Sequence, residues 1–534
     1  MIQGVLTRAF VWLSVIIGTT ARAVPLFDVG GRALRQFASE DGYLMLTIAR
    51  NLAIGNGLST EDGATPTNGT QPLMTFVYAG LFWLVDGDKT WGVILVQVLG
   101  IVIGLLSAFL LYQIGKRLLA HHDRGDAIAA VAAAAWYVAP LSARYTQNCL
   151  ETGAAALLPM IVGLYFLERS PGPDHSWSLG RCAALGSLLG VAFWVRNDAV
   201  LLSGAVCLIL VATGFSGASV SLRRRFSEAV CVGATALVVA SPWLVFNQTA
   251  FGSLIPISGI SQGTDVPLGK NLVFLGSILA EQISIVLLIP QRFETHPLTL
   301  VVTWTTIVIW SAAGYWIFRS AGRVQRQWLA VLAVWGGLLV AFYGLIYGAG
   351  WFIGRYLFVL SPWMTLFSVI MAQRVWVALG SPKPRAAEAA GFAFILLISL
   401  GLDARAHMQG MNNGHFQAVE WIEEHVPEDA WVAAIQTGTV GFFHDRTYNL
   451  DGKVSPSALQ ARIEGRTFEY VVERPVEYLV DWVGIAAWAE DDYLSQHFEL
   501  VVDDVDGNLA VLRRIGPPPS PEVEHEQDAQ PLDL

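Results

Sequence analysis

Apolar residues recur in near-unbroken runs of about twenty along the first three quarters of the chain. "WGVILVQVLGIVIGLLSAFLLY", "FSEAVCVGATALVVASPWLVF" and "WLAVLAVWGGLLVAFYGLIYG" are three of them. At about 1.5 Å of rise per residue, such a run matches the hydrocarbon thickness of a bilayer. The pattern predicts about eleven full spans, near 5–24, 91–115, 127–143, 152–168, 181–196, 199–215, 226–246, 298–318, 327–347, 355–378 and 386–403. Two apolar stretches fit less well. "QPLMTFVYAGLFWLVD" (71–86) is short for a span and is expected to lie in the interface, and "NLVFLGSILAEQISIVLLI" (271–289) to be half-inserted or re-entrant. No repeat of solenoid or propeller period stands out. The fold class predicted is an α-helical polytopic membrane protein with a small C-terminal α/β domain.

The pattern changes at about residue 410. "HFQAVEWIEEHV" reads as an amphipathic helix, "AWVAAI" and "VEYLVDW" as strands, and "FELVVDDVDGNLAVLRRI" as a hairpin turning at Asp506-Gly507. "QTGTVGFF" lacks a full dinucleotide fingerprint and reads as a loop passing close to another backbone. "GFFHDRTYNLDGKV" (441–454), with His444, Asp445, Arg446 and Asp451, reads as a solvated turn or as a surface for an acceptor glycan. The Pro-rich, acidic end is expected to be disordered. The expected divisions are 1–409 in the membrane, 410–515 a soluble domain and 516–534 a tail.

Composition sharpens this picture. Of 534 residues 54% are hydrophobic and 14% charged, with a mean hydropathy of +0.50, whereas soluble domains carry about 25% charged residues. Residues 410–534 hold 24 acidic and 7 basic side chains, against 19 and 26 in residues 1–409. A basic membrane part is therefore joined to an acidic soluble part, and nothing suggests nucleic acid as a partner. Cys149, Cys182, Cys207 and Cys231 lack metal or disulfide spacing and read as small buried hydrophobes. The first segment has Arg8 in front and "ARA" at 21–23, like a signal peptide, but is read as the retained first span. If 71–86 does not cross, the basic loops at 116–124, 221–226, 318–326 and 381–385 all fall inside, as the positive-inside rule prefers. The protein is then a multi-pass protein of the plasma (inner) membrane with its C-terminal domain extracytoplasmic.

That topology gathers polar groups on the outer face. The first loop carries Glu40, Asp41 and Asn68. Later turns carry Glu151, then Arg196 with Asp198, then Lys270, then Arg355 ahead of a span. Charges at membrane depth are costly and are candidates for function, although Arg196 could also serve as a structural partner of Asp198 or Glu151. A carboxylate near Arg and Lys at a membrane surface suits an enzyme acting on a lipid-linked phosphate: the carboxylate takes a proton from a hydroxyl and the cations hold the phosphate. The plainer reading of Glu40-Asp41 is an N-cap and first-turn charge for the helix that follows.

The series "SEDGYLMLTIARNLAIGNGLST…TPTNGTQPL" resembles the first outer loop of the GT-C membrane glycosyltransferases, most of all the bacterial branch that includes mycobacterial arabinofuranosyltransferases. "NCLETG" (148–153) is similar to that branch's Gly-Met-Glu-Thr element, with Cys149-Leu150 in place of Gly-Met, and "VRNDAV" (195–200) to its Arg-Pro-Asp element, with Asn197 in place of Pro. "SPWLVFNQTAFGSLIPISG" (241–259) and "WFIGRYLFVLSP" (351–362) are similar to its later outer-loop motifs. The resemblance implies a GT-C fold, an outer-face site and an inverting transfer from a polyprenyl-phosphate sugar to a hydroxyl of a glycan, lipid or protein acceptor in the cell envelope. Asp41 is the expected base, because the second acidic position is the one the pattern keeps, with Glu40 beside it as an orienting or metal-binding group. Arg355, Lys270 and Arg196 are the candidates for the donor phosphate, and Glu151, Asp198 and Asn68 for orienting sugar or acceptor. Glu40, Asp41 and Glu151 offer hard oxygen ligands to a divalent cation such as Mg2+ or Mn2+, though their spacing does not demand one. The rival readings are a transporter or flippase of an anionic lipid, which should carry internal symmetry, and a non-enzymatic acceptor-binding protein.

Overall fold

The computed structural model describes residues 2–215, 219–263, 267–283, 297–347, 353–378, 380, 384–409 and 414–519. Residues 284–289 of the expected re-entrant segment, residues 348–352 of the expected last outer loop and residues 520–534 of the expected tail lie outside that set.

Among the described residues eight helices are long and apolar enough to cross a membrane: Gly4–Phe27, Lys89–Leu118, Thr152–Arg169, Asn197–Phe215, Leu222–Phe251, Arg323–Ile346, Gly354–Ala378 and Ala386–Gln409. A ninth follows if Gly125–Val138 and Pro140–Gln147, which meet at 62°, form one broken span. The break has a local cause. Pro140 disfavours helical backbone at the residue before it, and Ala139 takes ψ 130°. The remaining expected spans coincide with helices Leu179–Val195 and Pro297–Ser320. The stretch expected in the interface holds only the 12-residue helix Pro72–Trp83.

The helices pack through small residues. Gly186 and Gly190, four apart on helix Leu179–Val195, face helix Leu222–Phe251. A Cβ on Gly186 would lie 2.5 Å from the Val232 carbonyl oxygen, and one on Gly190 would lie 2.5 Å from the Val239 Cβ. This is the small-xxx-small contact by which membrane helices approach closely enough for dispersion to hold them. The partner helix starts at Ser221, whose hydroxyl accepts from the Arg224 N–H, and ends at Gly252 with φ 72°.

The C-terminal part holds a five-stranded sheet. In spatial order its strands are Thr447–Asn449, Trp431–Ala434, Val476–Asp481, Leu509–Arg514 and Phe498–Asp504. The first three are parallel and the last two close an antiparallel hairpin. The expected helix, strands and hairpin are all present. One expectation holds in part and one fails. "QTGTVGFF" contains the short helix Thr437–Phe443 in place of a loop, yet it does pass close to another backbone, that of Glu40. The 441–454 stretch is no solvated turn, since Thr447–Asn449 is a buried strand paired with Trp431–Ala434.

This domain sits on helix Glu40–Ile54. Tyr43 is buried at the join, its ring 5.1 Å from Phe442, 5.6 Å from Phe443 and 5.9 Å from Phe416. Such aromatic pairs contribute roughly 0.5–1.5 kcal/mol each beyond area burial. Polar bonds ring the aromatic contact: Asp445 meets Arg50 at 3.2 Å and Lys89 at 3.1 Å, and the buried Glu61 accepts from the Asn449 N–H at 3.0 Å.

Candidate active site

The site begins with Ser39. Its hydroxyl accepts from the Gly42 N–H at 3.1 Å and caps helix Glu40–Ile54, which ends at Gly55 with φ 97°. Ser39, and not Asp41, is therefore the N-cap, and both carboxylates stand in the first turn. The turn 147–151 presses against this start. Ser39 N–H and hydroxyl both donate to the Asn148 carbonyl, at 3.3 and 3.2 Å. A Cβ on Gly42 would lie 2.2 Å from that same oxygen, so only glycine fits. Cys149, in the next position of the turn, has φ 60°, a left-handed conformation that glycine takes without penalty. The substitution of Cys for Gly noted in the sequence thus falls where a side chain is strained.

The two neighbouring carboxylates have different surroundings. Glu40 points into the C-terminal domain. It accepts from the Gly438 N–H at 2.5 Å, from the Thr439 N–H at 3.1 Å and from the Thr439 hydroxyl. Burial pushes its carboxyl up to about 7 against those hydrogen bonds, with the Asp41 charge adding to the rise. Asp41 faces the membrane part. One oxygen accepts from Arg355 Nη1 at 2.7 Å and the other lies 3.7 Å from Lys453 Nζ. Burial alone would raise Asp41, but Lys453 and Arg355 outweigh it and hold the carboxyl at about 2. Lys453 also meets Asp451 at 3.0 Å. Burial would lower its ammonium, yet Asp451 and Asp41 keep it above its ordinary value.

A second cluster adjoins the first. Arg196 binds Asp198 with two nitrogens, at 3.2 and 2.6 Å, donates to the Tyr343 hydroxyl at 2.8 Å and stands 3.8 Å from Glu151. Its Nη1 is buried with no hydrogen-bond partner. Tyr356 joins the clusters, because the Arg196 and Arg355 guanidinium carbons lie 4.9 and 5.0 Å from its ring centroid. Tyr343 stacks on that ring at 4.6 Å and 8°. Gln262 accepts from the Tyr347 hydroxyl at 3.0 Å and the Tyr356 hydroxyl at 3.4 Å. Tyr343 belongs to a π-helical turn, Phe342–Ile346, that extends helix Arg323–Ala341; such turns often mark functional sites. Leu158, Pro159, Leu202, Trp335 and Leu339 line a narrow crevice whose walls also include Arg196 and Asp198.

Of the residues expected in the site, Asp41, Arg355, Arg196, Asp198 and Glu151 come together. Glu40 stands beside them but is turned into the domain contact. Asn68 is fully buried and spent on structure, donating to Asn247 at 3.2 Å and accepting from the Ile257 N–H at 3.0 Å. Lys270 is exposed, and Lys453 takes the place expected of it beside Asp41. Among the described residues no three His, Cys, Asp or Glu side chains are grouped to hold a metal ion, and the Glu40 oxygens are already engaged with Gly438 and Thr439. The sequence reading missed Lys453, Tyr343, Tyr356 and Gln262. The only signals were an Asp-Gly turn in "NLDGKV" and tyrosines flanking the Arg355 segment.

One prediction follows from the domain contact. A Cβ on Gly438 would lie 1.9 Å from the Glu40 carbonyl oxygen. Gly438→Ala should therefore unseat the C-terminal domain, and protease should release it at least tenfold faster than from the wild type. Release at the wild-type rate would show that the contact yields.

Comparisons with known proteins bear on the fold and the family. The profile of the family described as dolichyl-phosphate-mannose-protein mannosyltransferase matches residues 70–246, and a profile described as a domain of unknown function matches residues 402–515. A stretch of 264 residues is 30% identical to the terminal beta-(1->2)-arabinofuranosyltransferase of Mycobacterium tuberculosis (strain ATCC 25618 / H37Rv), covering 48% of this chain. The match spans 39% of that protein's length. The fold is similar along nearly the whole chain to ArnT from Cupriavidus metallidurans bound to undecaprenyl phosphate, with a TM-score of 0.61, 14% identity, and coverage of 95% of this chain and 98% of that one. It is also similar to the oligosaccharyltransferase AglB from Archaeoglobus fulgidus in complex with an inhibitory peptide and a dolichol-phosphate. There the TM-score is 0.55 and the identity 12%, over 92% of this chain and 72% of the other.

Proposed function

We propose that this chain, an integral membrane protein with the GT-C fold of the polytopic glycosyltransferases, moves a sugar from a polyprenyl-phosphate donor to a hydroxyl of a cell-envelope acceptor. The observation that carries the proposal is Asp41, a half-buried carboxylate at the start of the first outer-loop helix, held by Arg355 at 2.7 Å and adjoining the Arg196 cluster. Asp41 takes the proton of the acceptor hydroxyl as its oxygen attacks the anomeric carbon. The bond from that carbon to the donor phosphate breaks, and the electron pair leaves with the phosphate. Attack opposite the leaving group inverts the anomeric centre. Arg355 takes up the phosphate oxygens through its planar fork. Arg196, Asp198 and Glu151 orient sugar hydroxyls.

Glu40 has the carboxyl nearer neutrality, which general-base catalysis favours, but geometry comes before pKa. Its oxygens are bonded to Gly438 and Thr439. Asp41 becomes more basic once a phosphate draws Arg355 away from it. The names of the relatives point to lipid-phosphate donors. Purified protein incubated with labelled polyprenyl-phosphate sugars, arabinofuranosyl and mannosyl among them, should move label to an envelope-derived acceptor. Labelled lipid crossing vesicles without transfer would instead favour a flippase.

The proposal puts the site and the C-terminal domain on the extracytoplasmic side of the inner membrane. In a background free of native cysteines, Asn56→Cys and Asp506→Cys should react with an impermeant thiol reagent from outside, and Ala120→Cys only after permeabilisation; all three positions are exposed. Reaction of Ala120→Cys from outside would mean that residues 71–86 cross.

A further inference from the structure

We propose that Lys453, carried by the C-terminal domain, is a second cation of the donor-phosphate site, so that this domain completes the active site. The inference rests on the glycosyl-transfer reading above. Arg355 and Lys453 approach the two different oxygens of the Asp41 carboxylate, at 2.7 and 3.7 Å. The two cations are thereby held as far apart as a carboxylate can bridge, and a phosphate presents oxygens at a similar spacing. Two neighbouring cations need an anion between them. Here that anion is Asp41. When the donor enters, its phosphate takes the bridging place and Asp41 is freed toward the acceptor hydroxyl. The donor is a phosphodiester with one negative charge, and the leaving lipid phosphate is a monoester that carries more. Cations placed on both sides of it therefore act most strongly as the bond breaks.

The domain holds Lys453 with care. Gly452 has φ 70°, and its N–H donates to the Asn449 side-chain oxygen at 2.9 Å. The Lys453 N–H donates to Asp451 Oδ1 at 2.8 Å. From the first outer loop Gly69 packs so closely that a Cβ there would lie 2.2 Å from the Lys453 carbonyl oxygen. The Asp451 carbonyl accepts from Ser261 at 3.2 Å, one residue before the Gln262 that binds the two site tyrosines. The side chain is only 17% exposed, so its charge acts where water screens it little.

The test is binding of undecaprenyl phosphate and of neutral undecaprenol to the purified full-length protein in detergent, which does not depend on knowing the sugar. Lys453→Gln should weaken undecaprenyl phosphate about ten- to a hundredfold and leave undecaprenol unchanged, while Lys453→Arg restores most of the loss. Asp451→Asn keeps the shape of the turn but removes an anion competing for Lys453. It should tighten undecaprenyl phosphate several-fold, a gain that misfolding cannot imitate. Arg513→Gln, on an exposed pair with Glu499, should change neither ligand. Unchanged phosphate binding by Lys453→Gln, or equal losses for phosphate and alcohol, would overturn the proposal, as would a failure of Asp451→Asn to tighten binding. Absence of transfer from every donor tested, with these binding differences intact, would instead count against the catalytic reading.

Discussion

Asp41→Asn should transfer sugar roughly 10²- to 10⁴-fold more slowly than the wild type, the usual contribution of a general base, while the folded protein should be recovered in normal amount. The substitution keeps the size of the side chain and one hydrogen-bond acceptor for Arg355, but the amide cannot take a proton. Because the helix is capped by Ser39, loss of helix stability does not compete as an explanation. Binding of a lipid-phosphate donor should hold or tighten, since removing the carboxylate leaves Arg355 with one anion fewer. Glu40→Gln supplies the contrast. The side-chain oxygen of Gln can still accept from Gly438 and Thr439, and a carboxyl already pushed up to about 7 gives up little when it is made permanently neutral. Transfer by Glu40→Gln should stay within about tenfold of wild type. If Glu40→Gln is the crippled variant and Asp41→Asn the active one, the two roles are exchanged. The measurement is initial rate under donor saturation, alongside donor affinity for both variants.

The sequence was informative where chemistry is local or periodic. Apolar runs of about twenty residues located the spans, because the bilayer imposes one length on every crossing. The alternating strands and the Asp506-Gly507 turn located the hairpin. The charged residues of the outer turns could be read as one site because burying Arg196 and Asp198 at membrane depth is too costly without a purpose or a partner, and here they have each other. What could not be read was long-range. Glu40 and Asp41 are adjacent and chemically alike, and only the fold tells them apart, by giving one to the Gly438–Thr439 amides and the other to Arg355. Lys453 lies more than four hundred residues from Asp41, on a stretch whose local pattern resembles a surface turn. Lys270 looked the better candidate because it stands in an outer loop of the membrane part, yet it is exposed. Asn68 and Asn247 both begin Asn-x-Thr sequons, but they bond to each other in the interior. Neither can accept a glycan in the folded protein.

Arg355→Ala should lower transfer by about 10²- to 10³-fold, comparable with removing one preorganised donor from a site where negative charge develops. Arg32→Ala, on an exposed segment, should have no measurable effect. Two consequences of the Arg355 geometry separate a phosphate-binding role from a structural one. The first is chemical: Arg355→Lys keeps the charge but not the planar fork that reaches Asp41 Oδ2 and the Tyr356 hydroxyl. It should recover only part of the lost rate, with the remaining deficit in kcat. The second is electrostatic. Asp41 is surrounded by Arg355, Lys453 and Glu40, and its carboxyl is held at about 2 by the two cations against burial. Taking away Arg355 removes one of those cations and lets Asp41 rise toward the ordinary carboxylate range or above it. A base must be ionised to act, so activity lost on acidification should disappear at a higher pH in Arg355→Ala than in the wild type. A deficit confined to protein yield, with the rate per folded molecule and its acid limb unchanged, would make Arg355 a brace for the helix ends and return the donor phosphate to Arg196.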